Sequence, residues 1–461
     1  MISARTLRFA DWAPVLTGGE HAEAYIEDSA GTSLHFEDSS LQEIVSGSDR
    51  GVGLRYLRST GSGSFETIYG ALNEIDAGSA RALADRLLAG VPRRSPPSGM
   101  PIKSFHQKIG RHPFDVSMDE KASLLKSCDK AVRERFPHIR QVSLNYAERM
   151  KRFAVLDIGG GFRLGERSVV LFAVTVTAEK DGLLQSGSEI VGALKGFEIF
   201  SERDPVKASC EAAARAVAKL SAPVAPAGEM PVVLAAAAGG TFIHEAIGHS
   251  LEADHIQEGT SPHYAGRRGQ RVAAENVNII DDPTLPDARG SYPFDDEGVP
   301  SAPTPLVENG ILKDYLYDRL TGLKEGRSSN GHGRRESFRH RPIPRMSNLY
   351  VVPGKEDPQA IIRSVDKGLL VTRMGGGQVN TATGEFLFGV DEGYWVEGGE
   401  IRHLVRDANL LGTGPEVLNS IDRLGSDMGW GIGTCGKDGQ GVPVSDGQPT
   451  LRIPKIVVGG R

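Results

Sequence analysis

Cysteine is scarce: Cys128, Cys210 and Cys435 are the only three in 461 residues. So few thiols, and an odd number of them, exclude a disulfide framework and point to a reducing compartment. Long apolar runs are absent too. No stretch approaches the roughly eighteen apolar residues of a membrane helix, and Asp11, Glu20, Glu23 and Glu27 occupy the place of an apolar leader core. A cytoplasmic chain, neither secreted nor membrane-bound, is expected. Neither sign of charge dominates: acidic and basic residues are mixed throughout, and a net charge of −6 creates no field that would draw in nucleic acid.

Apolar residues nevertheless make up 39% of the chain, enough to offset the entropy of ordering it. Single cores stop growing at about 250–300 residues, so two domains are expected. The Pro- and Ala-rich segment 221–231 is the natural divide, giving an N-terminal domain over 1–224 and a C-terminal domain over 225–461. The expected class is α+β. The first domain reads as antiparallel sheet with helices, the second as strand-rich and carrying a metal-binding helix.

Between Glu20 and Tyr69, short β-rich runs separated by Gly, Ser and Asp predict an antiparallel meander. A helix over 79–89 closes at Gly90, and the Pro-rich 91–101 segment predicts a loop. Ser117 and Glu120 form a capping-box pattern opening a helix that Pro137 stops. Strands are predicted over 139–146, 151–157 and 168–178. A second helix starts at Asp204-Pro205, with Val206, Cys210, Ala213, Val217 and Leu220 as its apolar stripe. Periodicity thus assigns both Cys128 and Cys210 to the core. Further on, Asn309-Gly310 predicts a hairpin turn, and a helix is expected over 358–367, closed by Gly368.

The segment GGTFIHEAIGHSLEAD contains His244, Glu245 and His249 as His-Glu-x-x-x-His. This is one residue longer than the common zinc-peptidase signature. Five residues apart on a straight α-helix, two histidines diverge by about 140° and cannot share a metal. A π-turn would bring them back to one face, and Gly248 supplies a backbone that tolerates it. A catalytic zinc needs three protein ligands and an open position. Glu252, Asp254, His255 and His263 are nearby candidates for the third. Cys435 competes from the distant glycine-rich segment GWGIGTCGKDGQGVPV, where it lies on no apolar face and reads as part of a loop. Nucleotide readings of the same glycines fail, because Asp438 stands where a phosphate loop needs Ser or Thr. DIGGG at 157–161 reads as a turn.

Several co-linear segments carry a resemblance: HEAIGHSLEAD, DDEGVP, LYDRLTG, GRRESFRHRPIPRMSNLYV, MGGGQV, GTCGKDGQGVPV and IVVGG. In order and spacing they are similar to the TldD/PmbA metallopeptidase family, over essentially all of 231–461 and more loosely before it. The resemblance implies zinc held by His244, His249 and Cys435, with Glu245 as the catalytic glutamate. Because this chain keeps the His-Glu motif, it resembles the catalytic TldD type rather than the PmbA type, which lacks the motif and acts as partner. A homodimer, or a heterodimer with a PmbA-type relative, is implied.

The reading is a zinc-dependent metallopeptidase cleaving unfolded or short, extended peptides by Glu245-assisted attack of zinc-bound water. His332, Arg334 and Tyr350 are candidates to stabilise the oxyanion. The alternative is a non-catalytic peptide-binding or maturation partner with a structural zinc, which would need a fourth ligand from Glu252, Asp254 or His255. A hydrolase of non-peptide amides is a further possibility for the same centre.

Overall fold

The computed structural model describes residue 2 and residues 7–460. The predicted meander forms as His21–Glu37, Ser40–Gly61 and Ser64–Leu72, each antiparallel to the next. These strands are longer than the sequence pattern implies, because glycines that read as turns pair inside them: Gly31 lies opposite Gly47. Ile139–Asp157, Phe162–Lys180 and Leu183–Ala193 continue the same seven-stranded sheet. The runs predicted separately at 139–146 and 151–157 are therefore one strand. Gly160, at φ 82°, makes the turn predicted at 157–161.

Three helices cover this sheet, Ala77–Leu87, Met118–Arg135 and Pro205–Lys219, the first being the helix predicted over 79–89. Ser117 Oγ accepts from Glu120 N at 3.2 Å and Asp204 Oδ1 from Val206 N at 2.9 Å, satisfying N–H groups that the helix leaves free. Cys128 is buried as expected. Cys210 is only half-buried, a departure from the predicted stripe. Of the predicted stripe only Ala213 is fully buried, and the helix otherwise buries Ala208, Ala212 and Ala216. Close approach explains the rotation: a Cβ on Gly187 of the neighbouring strand would lie 2.3 Å from the Ala212 carbonyl. Only small side chains fit there, so Val206, Cys210 and Val217 are left at the margins.

In the second half, Gly228–Leu234, Lys367–Val379, Glu385–Glu397, Asn409–Thr413 and Leu451–Gly459 pair in a closed ring, a small barrel. A separate six-stranded sheet contains Ile279–Asp281, Asn348–Val351 and the hairpin Gly429–Lys437/Gln440–Gln448. The Asn309-Gly310 turn is present, with φ 50° and 74° as a type I′ turn requires. The 358–367 helix is shorter than predicted and ends at Arg363. Gly368 belongs to the following strand, where a Cβ would meet the Pro231 carbonyl at 2.3 Å. It serves strand packing rather than helix termination.

Buried charges tie the halves together. Glu23, on the first strand, is fully buried between Arg55, at 3.2 Å, and Arg335 from the second half. Burial alone would raise the Glu23 pKa, but the two guanidiniums hold it below the usual carboxylate range. Phe242, two residues before His244, packs edge-on against Phe386 of the barrel with ring centroids 5.1 Å apart. With Ile243 and Ile247 it anchors the motif in the main apolar cluster.

Candidate metal centre

The motif helix changes its winding at the place where the spacing demands it. Thr241–Ile243 is α-helical, His244–Gly248 is a π-turn in which His249 N–H donates to the His244 carbonyl, and His249–Leu251 is a 3₁₀ turn. The two imidazoles consequently lie together, with ring centroids 5.0 Å apart and planes at 85°. Gly248 is required by packing as well as by backbone freedom: a Cβ there would come within 2.2 Å of Met346 Sδ.

Cys435 meets both rings. Its Sγ lies 3.2 Å from His244 Nε2 and 3.3 Å from His249 Nε2. One expectation about it is corrected. Cys435 is on a strand, Gly429–Lys437, not in a loop, and its side chain is buried in the apolar cluster beside Val442. Of the glycines in that segment, Gly429 serves close backbone packing, since a Cβ there would sit 2.0 Å from the Ala236 carbonyl, whereas Gly433 and Gly436, flanking Cys435, meet no close neighbour. Buried Arg345 donates to the carbonyls of Cys435 and Gln440, which holds the hairpin in register.

Each imidazole presents its other nitrogen to a carboxylate. His244 Nδ1 is 2.6 Å from Asp446 Oδ1, and His249 Nδ1 is 3.0 Å from Glu252 Oε2. Such contacts fix ring orientation and direct both Nε2 atoms towards the sulfur. Burial lowers the pKa of both histidines, but the carboxylates outweigh it. His244 is raised well above its ordinary value and His249 to about 9. Burial likewise opposes ionisation of Cys435, yet hydrogen bonds from the two imidazoles bring its thiol down to about 5. The trio is therefore predisposed to hold a thiolate.

Glu245 sits among these groups but joins none of them. It is half-buried, and among the described residues its carboxylate makes no hydrogen bond. Burial raises its pKa, against the lowering influence of His244 and His249. A half-buried carboxylate with free oxygens and raised basicity is suited to accept a proton.

The other predicted ligands go elsewhere. Glu252, Asp254 and His255 do cluster, with candidate ligand atoms within 4.8 Å of one another. Lys437 Nζ already lies 3.1 Å from Glu252 and 2.7 Å from Asp254, so an ammonium supplies the positive charge there. His263 lies beside Gly384 and belongs to neither cluster. Of the oxyanion candidates, His332 is buried against Thr304 at 3.0 Å, Arg334 donates to the carbonyls of Met346 and Pro443, and Tyr350 packs on Trp430. Asp446 and Lys437 were not anticipated. Both sit on the Cys435 hairpin, and only its strand pairing reveals that they face the motif helix.

His244, His249 and Cys435 form one of two groups among the described residues whose donor atoms could hold a metal, all lying within 4.8 Å of one another. A tetrahedral zinc separates nitrogen and sulfur ligands by about 3.5 Å. The observed 3.2 and 3.3 Å need little adjustment to reach that.

Three family models match the chain: PmbA/TldA metallopeptidase domain 1 over residues 22–89, the central domain over 111–220, and the C-terminal domain over 227–460. Among curated relatives, a metalloprotease TldD homolog of Buchnera aphidicola is 33% identical, over 96% of this chain and 93% of its own. A metalloprotease of Methanothermobacter thermautotrophicus is 35% identical over 96% of each. A zinc metalloprotease TldD homolog of Saccharolobus solfataricus is 30% identical over 78% of this chain and 80% of its own. The fold is also that of TldE from Thermococcus kodakarensis, with a TM-score of 0.71, 16% identity, and coverage of 96% of this chain and 97% of that one. With three consecutive domain models matched and relatives aligned along nearly its whole length, the chain belongs to the PmbA/TldD metallopeptidase family.

Proposed function

We propose that this chain is a zinc-dependent peptidase in which His244, His249 and Cys435 hold the metal and Glu245 is the general base. The observation that carries the reading is the convergence of two imidazole Nε2 atoms on a buried thiol, beside a carboxylate that has no hydrogen-bond partner among the described residues. The names of the relatives support a metalloprotease, and one of them specifies zinc. Two neutral imidazoles and one thiolate leave a bound zinc with a net charge of +1. Bound there, zinc would supply a Lewis acid that acidifies water and polarises a peptide carbonyl. Glu245 takes the proton of the attacking water and passes it to the leaving amine. Asp446 and Glu252 keep the imidazoles in the tautomer whose Nε2 is free. Asp446→Asn should therefore weaken zinc binding by about 10–100-fold, measured by competition with a chelator.

A structural zinc is disfavoured, because the group containing the trio offers no fourth ligand among the described residues. The substrate reading rests on Gly429–Lys437. It is the last strand of its sheet, and among the described residues no strand pairs with its outer edge. An extended peptide can add there by main-chain hydrogen bonds, which a folded protein cannot offer. A reduced, unfolded test protein should be cut and its native form spared. Cleavage of both at equal rates would contradict the edge-pairing reading.

Pairing, either as a homodimer or with a PmbA-type relative, is proposed on the family resemblance. Light scattering should show a dimer, alone or after mixing with such a relative, and full activity in a stable monomer would contradict it. No helix among the described residues is long and apolar enough to cross a membrane. The three unpaired cysteines support a cytoplasmic setting.

A further inference from the structure

Behind the Cys435 hairpin lies a cavity of about 220 Å³ between the first sheet and the second half of the chain. Thr434 and Pro443 wall one side of it. Thr434 precedes Cys435 on the strand, so by alternation the two side chains leave opposite faces. The cavity is thus across the hairpin from the metal-binding trio. Six cationic and three acidic residues line it. Most of the cations are already matched: Arg149 and Lys151 reach Glu27, Arg335 reaches Glu23, and Arg167 lies 3.5 Å from Asp296.

Two are not. Arg334, fully buried, donates among the described residues only to main-chain carbonyls. Arg289 is 8% exposed and among the described residues its side chain makes one hydrogen bond, to Thr434 Oγ1 at 3.1 Å. Among the described residues neither makes an ion pair, and the Nε of each is buried without a partner. Burial, followed by repulsion from Arg334, lowers the Arg289 pKa to about 10, and no carboxylate acts against it. A buried guanidinium without a counter-charge is costly, and its planar fork matches a carboxylate. The cavity has room for a side-chain-sized group. Asp296 and Glu336 on its wall disfavour a doubly charged anion such as phosphate.

We infer that this cavity is a carboxylate-binding subsite, with Arg289 as its principal ligand, that receives an acidic side chain or the C-terminal carboxylate of the peptide substrate. The peptide as source rests on the peptidase reading, and the hairpin shared with the trio is what connects the two. A peptide paired to the edge of Gly429–Lys437 sends alternate residues to opposite faces, one towards the trio and the next towards the cavity.

The test measures binding, not turnover, so that its failure is separable from failure of the peptidase reading. Three alanine-rich hexapeptides are titrated calorimetrically into the full chain carrying Glu245→Gln. One contains Glu with both ends blocked, one contains Gln with both ends blocked, and one contains Gln with a free C-terminus. The Glu peptide should bind about tenfold or more tightly than its blocked Gln counterpart. Adding Arg289→Gln should erase the difference, and the milder Thr434→Val should reduce it. If the free-terminus peptide instead shows the gain, with the same dependence on Arg289, the C-terminal carboxylate is the source. Equal affinity of all three peptides, a preference that survives Arg289→Gln, or competition by inorganic phosphate but not by acetate would each overturn the inference. Should Arg289→Gln fail to fold, the comparison of peptides on the Glu245→Gln chain still decides it.

Discussion

Replacing Glu245 with Gln should lower peptide cleavage by at least about 10²-fold while zinc content and peptide binding stay close to wild type. The substitution preserves shape and removes basicity. Because the Glu245 carboxylate makes no hydrogen bond among the described residues, no partner is orphaned by the change and folding should be little affected. Burial raises its pKa, which brings the base nearer to neutral pH, where proton transfer is most effective. The loss should appear in kcat rather than KM, since the proton moves only in the transition state. If the zinc were structural, the same substitution would leave any activity untouched.

Cys435→Ala should abolish stoichiometric zinc binding, whereas Cys128→Ala and Cys210→Ala should retain it. Cys128 is buried under the first sheet and Cys210 is half-buried at a helix margin; neither belongs to a group of candidate ligands. Cys435 alone among the thiols lies within 3.3 Å of two imidazoles. Its removal leaves two imidazole nitrogens and a cavity where the sulfur was. Two ligands fall short of the three a catalytic zinc needs. Metal analysis of the four proteins, with thermal melting to establish that each folds, checks this. Full occupancy in Cys435→Ala would remove the thiolate from the ligand set.

Much of the site was legible in the chain because helical geometry makes spacing informative. Histidines five apart cannot meet on a straight α-helix, and the structure has a π-turn over His244–Gly248. The capping residues Ser117 and Asp204 and the Asn309-Gly310 turn were readable for the same reason, since their chemistry is local. Glycine was the less reliable guide. In a turn and at a close contact between backbones the same residue is required, so Gly31, Gly368 and Gly429 read as breaks in structure but lie inside strands. Cys435 was placed in a loop by Gly433 and Gly436 on either side of it, which lie in a strand although neither meets a close neighbour. Asp446 and Lys437 were beyond reach for a different reason. Their partners are 202 and 183 residues away in sequence, and only the register of the hairpin against the motif helix brings them together.

The most direct measurement follows zinc and cleavage on the same sample. The purified chain should hold one zinc and cleave an unstructured peptide library, alone or with its PmbA-type partner. Chelation should remove metal and cleavage together, and one equivalent of zinc should restore both. Cleavage that persists in metal-free protein, or a fully zinc-loaded protein and partner that cut nothing in the library, would contradict a zinc peptidase built on His244, His249, Cys435 and Glu245.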